Sequence, residues 1–260
     1  MWMRNKRKLN FRQPKIYRVT AKEHKAITIN TGYIWLVMLV ILLGVLVWFV
    51  FYSRFFQIKN IIVDGTINES IQKEIDTFYG QNIFLFTIGQ KDKELQSKQN
   101  SIEKLNIVKG IPDTLKIAVT VRTPQIKWKT KDKIYYVDNK GIIFNLDNQT
   151  ENYNNLPQVA DSRNLDIKLG TKIITNDFVD FVKNIFQKVP EVTKKDINEA
   201  KINETTLYLE VGLKDGYKIT FDTLGNINDQ IFILKNIIEH HSGEIKEYVD
   251  LRVPNKAYYK

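Results

Sequence analysis

The 260 residues, 43 % of them hydrophobic, suffice for one large domain or two modest ones, and the lack of cysteine excludes disulfides, thiolate metal sites and cysteine nucleophiles. The net charge of +10 is concentrated: residues 1–32 hold nine Lys or Arg against one acid, Glu23, a local +8 that leaves +2 (10 − 8) for the rest of the chain. Nucleic-acid recognition wants a basic stripe on the folded part, so no nucleic-acid partner is expected.

Residues 1–32 show little apolar periodicity and are rich in Lys, Arg, Asn and Thr, which predicts a largely disordered basic tail. From Tyr33 to Tyr52 no charge occurs. A helix of that length spans about 30 Å, the thickness of the hydrocarbon core, so 33–53 is predicted to be a transmembrane helix. Tyr33, Trp35, Trp48 and Tyr52 lie where rings favour the headgroups, and the basic leader places the N-terminus in the cytoplasm. A cleaved signal peptide would have a shorter apolar run and a small-x-small cleavage site; here S-R-F-F-Q follows.

Phe56–Val63 is β-rich and ends in the turn signal Asp64-Gly65, and Thr66-x-x-Glu69 matches a capping box. Ile67, Ile71, Ile75 and Phe78 recur at helical spacing before Gly80, and a second helical stretch is predicted with Leu95, Ile102 and Leu105 on one side. Gly110-Ile111-Pro112-Asp113 is a turn, and Leu115, Ile117, Val119 and Val121 alternate as in a strand that Pro124 closes. The predicted order is strand, helix, helix, strand, strand.

Asp138-Asn139-Lys140-Gly141 joins two short strands as a hairpin. Phe178–Val189 is predicted to be a helix that Pro190 stops. Leu207–Val211 and Tyr217–Phe221 form a second hairpin across Lys214-Asp215-Gly216, and Gly225 precedes a helix with Ile231, Leu234, Ile237, Ile238 and His241 near one face. Glu247–Val253 closes the chain as a strand, with Val249, Leu251 and Val253 on one side and Tyr248, Asp250 and Arg252 on the other. Two readings of it stand: an edge blunted by Pro254, Lys256 and Lys260, or a free edge that receives a partner's strand.

Two stretches resemble a POTRA domain: F-x-I-K-x-I-x-V-x-G at Phe56–Gly65 resembles its opening, and I-V-K-G-I-P-D-T-L-K-I-A-V-T-V-R-T-P at Ile107–Pro124 resembles the block that closes it. Y-Y-V-D-x-x-G-x-x-F at Tyr135–Phe144 and Y-V-D-L-R at Tyr248–Arg252 resemble the FtsQ/DivIB family of bacterial cell-division proteins. The resemblance implies an α+β chain: a cytoplasmic tail (1–32), a single transmembrane helix (33–53), a small POTRA domain of β-α-α-β-β order (55–124), and a mostly antiparallel β domain with helices (125–260). It also implies a non-catalytic scaffold of the division septum that binds the FtsB/DivIC–FtsL pair outside the cytoplasmic membrane and helps regulate septal peptidoglycan synthesis. The POTRA domain would recruit other division proteins. Carried over by position, Arg252 is a salt-bridging anchor, framed by Tyr248, Asp250, Val253 and Tyr258. Some relatives place an aromatic directly after that arginine; here Val253 and Pro254 follow, so Tyr258 or Tyr259 is expected to supply the apolar contact. With the chain ending at Lys260, a longer tail found in some relatives is expected to be missing.

No catalytic, metal or cofactor site is predicted. His240 and His241 point about 100° apart on a helix and cannot easily share an ion. Asp138, Asp147, Asp215 and Asp222 sit at turns, where Asp serves the backbone, and no G-x-S-x-G, phosphate-loop or dinucleotide pattern occurs. The Asn-x-Ser/Thr strings at Asn68, Asn148 and Asn203 are expected by chance in an Asn-rich chain. An envelope enzyme would need convergent carboxylates or a Ser/Lys pair. An export or assembly accessory with a POTRA domain is the alternative, separated from a division protein by its distribution in the cell.

Overall fold

The computed structural model describes residues 15–17, 30–65, 67–146, 153–214 and 216–260. Most of the basic tail, Thr66 of the expected capping box, Asp147, Asn148 and Asp215 lie outside the described residues. The chain divides into two compact units, Met1–Trp48 and Phe49–Lys260.

Helix α1 covers Thr31–Tyr52, 22 residues with none buried. It has no polar face to set against a buried one, and its mean hydropathy is 3.0. At 1.5 Å per residue it is about 33 Å long, long and apolar enough to cross a membrane.

In the second unit a 3₁₀ turn, Arg54–Phe56, leads to β1 (Asn60–Asp64), α2 (Glu69–Asp76), α3 (Ile88–Lys98), β2 (Ile102–Gly110) and β3 (Thr114–Val121). The sheet order is β1-β3-β2, with β1 parallel and β2 antiparallel to β3. Asn68 caps α2, its Oδ1 accepting from the Ile71 N–H at 2.8 Å. Ile71 and Ile75 of α2, Leu95 of α3, and Leu115, Ile117 and Val119 of β3 are buried together, as the two periodicities require. Gly65 sits at φ +109° with space for no Cβ, which would lie 2.1 Å from the Val119 carbonyl oxygen.

Two boundaries differ from expectation. The first strand begins at Asn60, because residues 56–58 pair with the 80–83 loop instead. The second helix ends at Lys98, and Ile102 and Leu105 belong to β2, paired with Val121 and Val119. Their helical spacing was coincidental; the pairing with β3 decided their conformation.

The remainder forms one sheet of nine strands: β4 (Ile126–Thr130), β5 (Lys133–Val137), β6 (Ile143–Phe144), β7 (Gln158–Asp161), β8 (Ile197–Ile202), β9 (Tyr208–Leu213), β10 (Lys218–Asp222), β11 (Tyr248–Asp250) and β12 (Tyr258–Tyr259). Their spatial order is β12-β11-β10-β9-β8-β7-β4-β5-β6. Five pairings are antiparallel; β4–β7, β7–β8 and β10–β11 are parallel, so the sheet is mixed. Helices α4 (Asn176–Thr193) and α5 (Ile227–His241) pack on its apolar side, where Val179, Val182, Ile185 and Leu234 meet Ala200, Val211, Ile219 and Phe221.

Pro190 does not stop α4, which continues to Thr193. Proline forfeits one bond to the preceding turn, but its carbonyl still accepts from the Lys194 N–H at 3.0 Å, and Lys194 at φ 55° ends the helix.

The two sheets are joined by a polar contact. Arg122, after β3, donates to Asp138 Oδ2 at 2.5 Å and to the Asn100 carbonyl at 3.2 Å. Asp138 Oδ1 accepts from the Lys140 and Ile142 N–H groups, each at 2.9 Å, and so builds the β5–β6 turn. Lys140 pairs with Glu103 at 2.7 Å, and the Asn145 N–H reaches Asn100 Oδ1 at 2.8 Å.

Candidate functional site

The C-terminal segment enters the sheet as β11, parallel to β10, with Lys218 opposite Tyr248 and Thr220 opposite Asp250. Val249 and Leu251 are buried in the core and hold it there. The strand is shorter than expected, ending at Asp250; Asn255 at φ 59° then helps turn the chain back. The returning residues form β12, antiparallel to β11, which becomes the last strand of the sheet. The expected terminal strand is therefore not the edge. It lies between β10 and β12.

Lys260 and Tyr248 exchange backbone bonds, 3.1 Å from the Lys260 N–H and 3.3 Å to its carbonyl. In an antiparallel ladder alternate residues bond inward, so the N–H and C=O of Tyr259 face away from β11. The register also sorts the side chains. Asp250 stands opposite Tyr258 on the polar face, and Val249 opposite Tyr259 on the helix face. Tyr259 accordingly meets α5 and the loop after it: its ring lies 5.6 Å from that of His241, and its hydroxyl donates to Glu244 Oε2 at 3.1 Å.

Arg252 is held within the chain. Its Nε reaches both Asp250 oxygens at 2.9 and 3.1 Å, Nη2 reaches Oδ2 at 2.6 Å, and its own N–H reaches Oδ1 at 3.0 Å. The guanidinium also lies over the Tyr208 ring, 5.1 Å from its centre. The bonds from Arg252 hold the Asp250 carboxyl below the usual carboxylate range, and those to Asp250 raise Arg252. Tyr248 and Tyr258 are exposed. Val253 stands apart from this face, past the end of β11, in a small hollow beside the start of α5.

The sequence reading missed the neighbours of this edge. Lys201, Glu210 and Lys218 form an ion trio across β8, β9 and β10, at 3.1 and 3.2 Å. Burial pushes the Glu210 carboxyl up, but the two lysines outweigh it and it lies below its ordinary value. With Tyr208, Thr220 and Arg252 these residues line a shallow groove of about 370 Å³. The available signal was alternation: Tyr208 and Glu210 on β9, and Lys218 and Thr220 on β10, occupy the positions between the buried ones.

Among the described residues no group of three or more His, Asp or Glu side chains could hold a metal. His240 Nδ1 lies 2.8 Å from the Asn236 carbonyl and His241 Nδ1 lies 3.1 Å from Glu244, so each has a local partner. Two Ser-x-x-Lys strings do occur, Ser70–Lys73 and Ser101–Lys104. In the first, Lys73 is engaged by Glu69 at 2.7 Å. In the second, Ser101 is buried in the turn before β2 and Lys104 is exposed on that strand.

No curated protein matches the chain. Residues 127–252, from β4 through Arg252, match the family model described as cell division protein FtsQ/DivIB, C-terminal. That match runs from the second residue of β4 to the Asp250–Arg252 pair, with β12 beyond it, and it identifies this part of the chain as a C-terminal domain of the FtsQ/DivIB family of cell-division proteins.

Proposed function

We propose that this protein is a membrane-anchored, non-catalytic scaffold of the division septum whose β12–β11 edge takes up a strand from an FtsB/DivIC-like partner that arrives with an FtsL-like one. The observation that carries the proposal is the outward-facing backbone of Tyr259 at the end of a sheet. Backbone bonds supply affinity in strand addition, and side chains beside the edge supply choice. Here the choosing groups are Tyr248 and Tyr258, the Asp250–Arg252 pair and the ion trio beyond it. Because Asp250 already engages Arg252, an acidic partner residue would have to share that guanidinium or displace Asp250.

In this reading α1 anchors the chain with its N-terminus in the cytoplasm and the rest outside. The β-α-α-β-β module acts as a POTRA domain that recruits other division proteins, and occupancy of the edge feeds into septal peptidoglycan synthesis. The test is to purify the full chain with candidate FtsB/DivIC-like and FtsL-like proteins. A 1:1:1 complex is expected, lost in Tyr259→Pro, whose N–H takes no part in the ladder, and weakened in Arg252→Glu. Full binding by both variants would rule out the edge. A tagged protein spread evenly over the envelope, with normal division after depletion, would rule out the septal role.

A further inference from the structure

The geometry points to a second membrane contact: the Asn82–Leu85 loop and Phe55 insert into the headgroup layer of the bilayer beside the end of α1. All residues concerned lie within the unit that begins at Phe49. The last carbonyls of a helix have no partner inside it. Two of them are met by one side chain, since Asn82 Nδ2 donates to the Val50 and Phe51 carbonyls at 2.8 and 3.0 Å. Asn82 Oδ1 accepts from the Phe84 N–H at 2.9 Å, so the same residue also sets the loop. Backbone bonds bind this loop to the chain leaving the helix: Ile83 N–H to the Phe56 carbonyl, and Ile58 N–H to the Gln81 carbonyl, both at 2.9 Å.

These bonds fix depth. Phe84 and Leu85 follow Asn82 by two and three residues, and a chain advances at most about 3.6 Å per residue. They therefore stay within about 11 Å of the Asn82 Cα, and the Asn82 side chain itself ends on carbonyls in the last turn of the span. The headgroup region is about 5–8 Å deep on each side of the hydrocarbon, so both residues fall in or beside it. Their surface fits that place. Phe55 is 52 % exposed, Phe84 41 % and Leu85 63 %. The rings of Phe49, Phe55, Phe56 and Phe84 form one chain of contacts, with centres 4.9 to 6.3 Å apart. Gln81–Gln90 contains no charge, and Arg54, next to Phe55 in the chain, is exposed and suited to a lipid phosphate. Apolar side chains in such a setting enter the headgroup–acyl boundary by about 5–10 Å. The lipid surface is the occupant because the patch continues the surface of the helix end itself.

The absence of cysteine makes the test direct. Leu85→Cys and, as a water-exposed reference, Leu224→Cys carry an environment-sensitive fluorophore on the full chain; Leu224 is 79 % exposed. Proteoliposomes of phosphatidylethanolamine and phosphatidylglycerol are collected by flotation, so only inserted protein is read. The Leu85 probe is expected to shift to the blue, to lose intensity to a nitroxide on the lipid acyl chain, and to resist aqueous iodide, while the Leu224 probe does the reverse. A Leu85 probe as open to iodide as the Leu224 probe would overturn the inference. Protection from both quenchers would also overturn it, since a second copy of the chain would then be covering the patch. Neither result bears on partner binding at β12.

Discussion

The nine-stranded sheet ends in two strands of two residues each, β6 and β12, and the molecule treats them in opposite ways. The β6 edge is closed: Ile143 donates to the Thr171 carbonyl at 3.0 Å and accepts from Gly170 at 2.8 Å, Ile173 bonds Gly141, and both residues of β6 are buried. At β12 one residue is exposed and the ladder's outward groups meet no strand of the sheet. Unpaired edges are hazards that folded chains usually cover, shorten or charge. The 170–173 segment closes one edge, whereas the other is only shortened and flanked by Pro254, Lys256 and Lys260, and the proposed partner edge rests on that difference.

The largest loss of stability is expected at the closed end. Asp138 builds the β5–β6 turn and meets Arg122 with side-chain exposures of 3 % and 11 %. Asp138→Ala leaves the guanidinium buried and uncompensated, at a cost of about 3–5 kcal/mol, measured by urea unfolding. A loss below about 1 kcal/mol would mean that water or another group already shares the charge.

A smaller effect is expected from Gly141→Ala. Gly141 has φ +80° and space for no Cβ, which would lie 2.0 Å from the Ile174 carbonyl oxygen. The strain is about 1–3 kcal/mol, and it should appear as faster hydrogen exchange at the Ile143 and Ile173 amides. Unchanged exchange there would show that the 170–173 cover does not depend on this turn.

At the open end the effects on stability are slight. Asp250 has its carboxyl lowered by bonds from Arg252, against a usual value of 3.8. A lowered carboxylate stabilises the fold above its unfolded value and loses that contribution as pH falls through the folded one. The stability difference between the wild type and Asp250→Asn should therefore be full above about pH 4 and vanish below that point as the carboxyl protonates. With Arg252 half exposed, its size is at most about 1 kcal/mol. A difference that instead grew as the pH was lowered would reverse the sign of the argument.

How much could be read beforehand follows from the range of each interaction. Helix α1 is legible as an unbroken apolar run, and the β5–β6 and β9–β10 hairpins and the alternation of β3 are local patterns, legible because burial repeats every second residue. Ile102 and Leu105 were misplaced because a few apolar residues suit either period until a partner strand chooses. Of the candidate site, Tyr248, Asp250 and Arg252 were visible as one alternating face. Lys201, Glu210 and Lys218 were not, since each sits on a different strand and only the sheet order brings them together.

Local pattern was enough to show that an uncharged apolar run precedes the folded part, that a β-α-α-β-β unit and then a sheet with helices follow, and that Tyr248–Asp250 is a half-buried strand. Only the tertiary contacts set the four parallel pairings, the Arg122–Asp138 contact between the sheets, and the placing of β12 outside β11. The reason is physical: periodicity records which side of an element is buried, whereas the order of strands depends on which of several compatible edges offers the best-packed partner. That choice depends on contacts far apart along the chain.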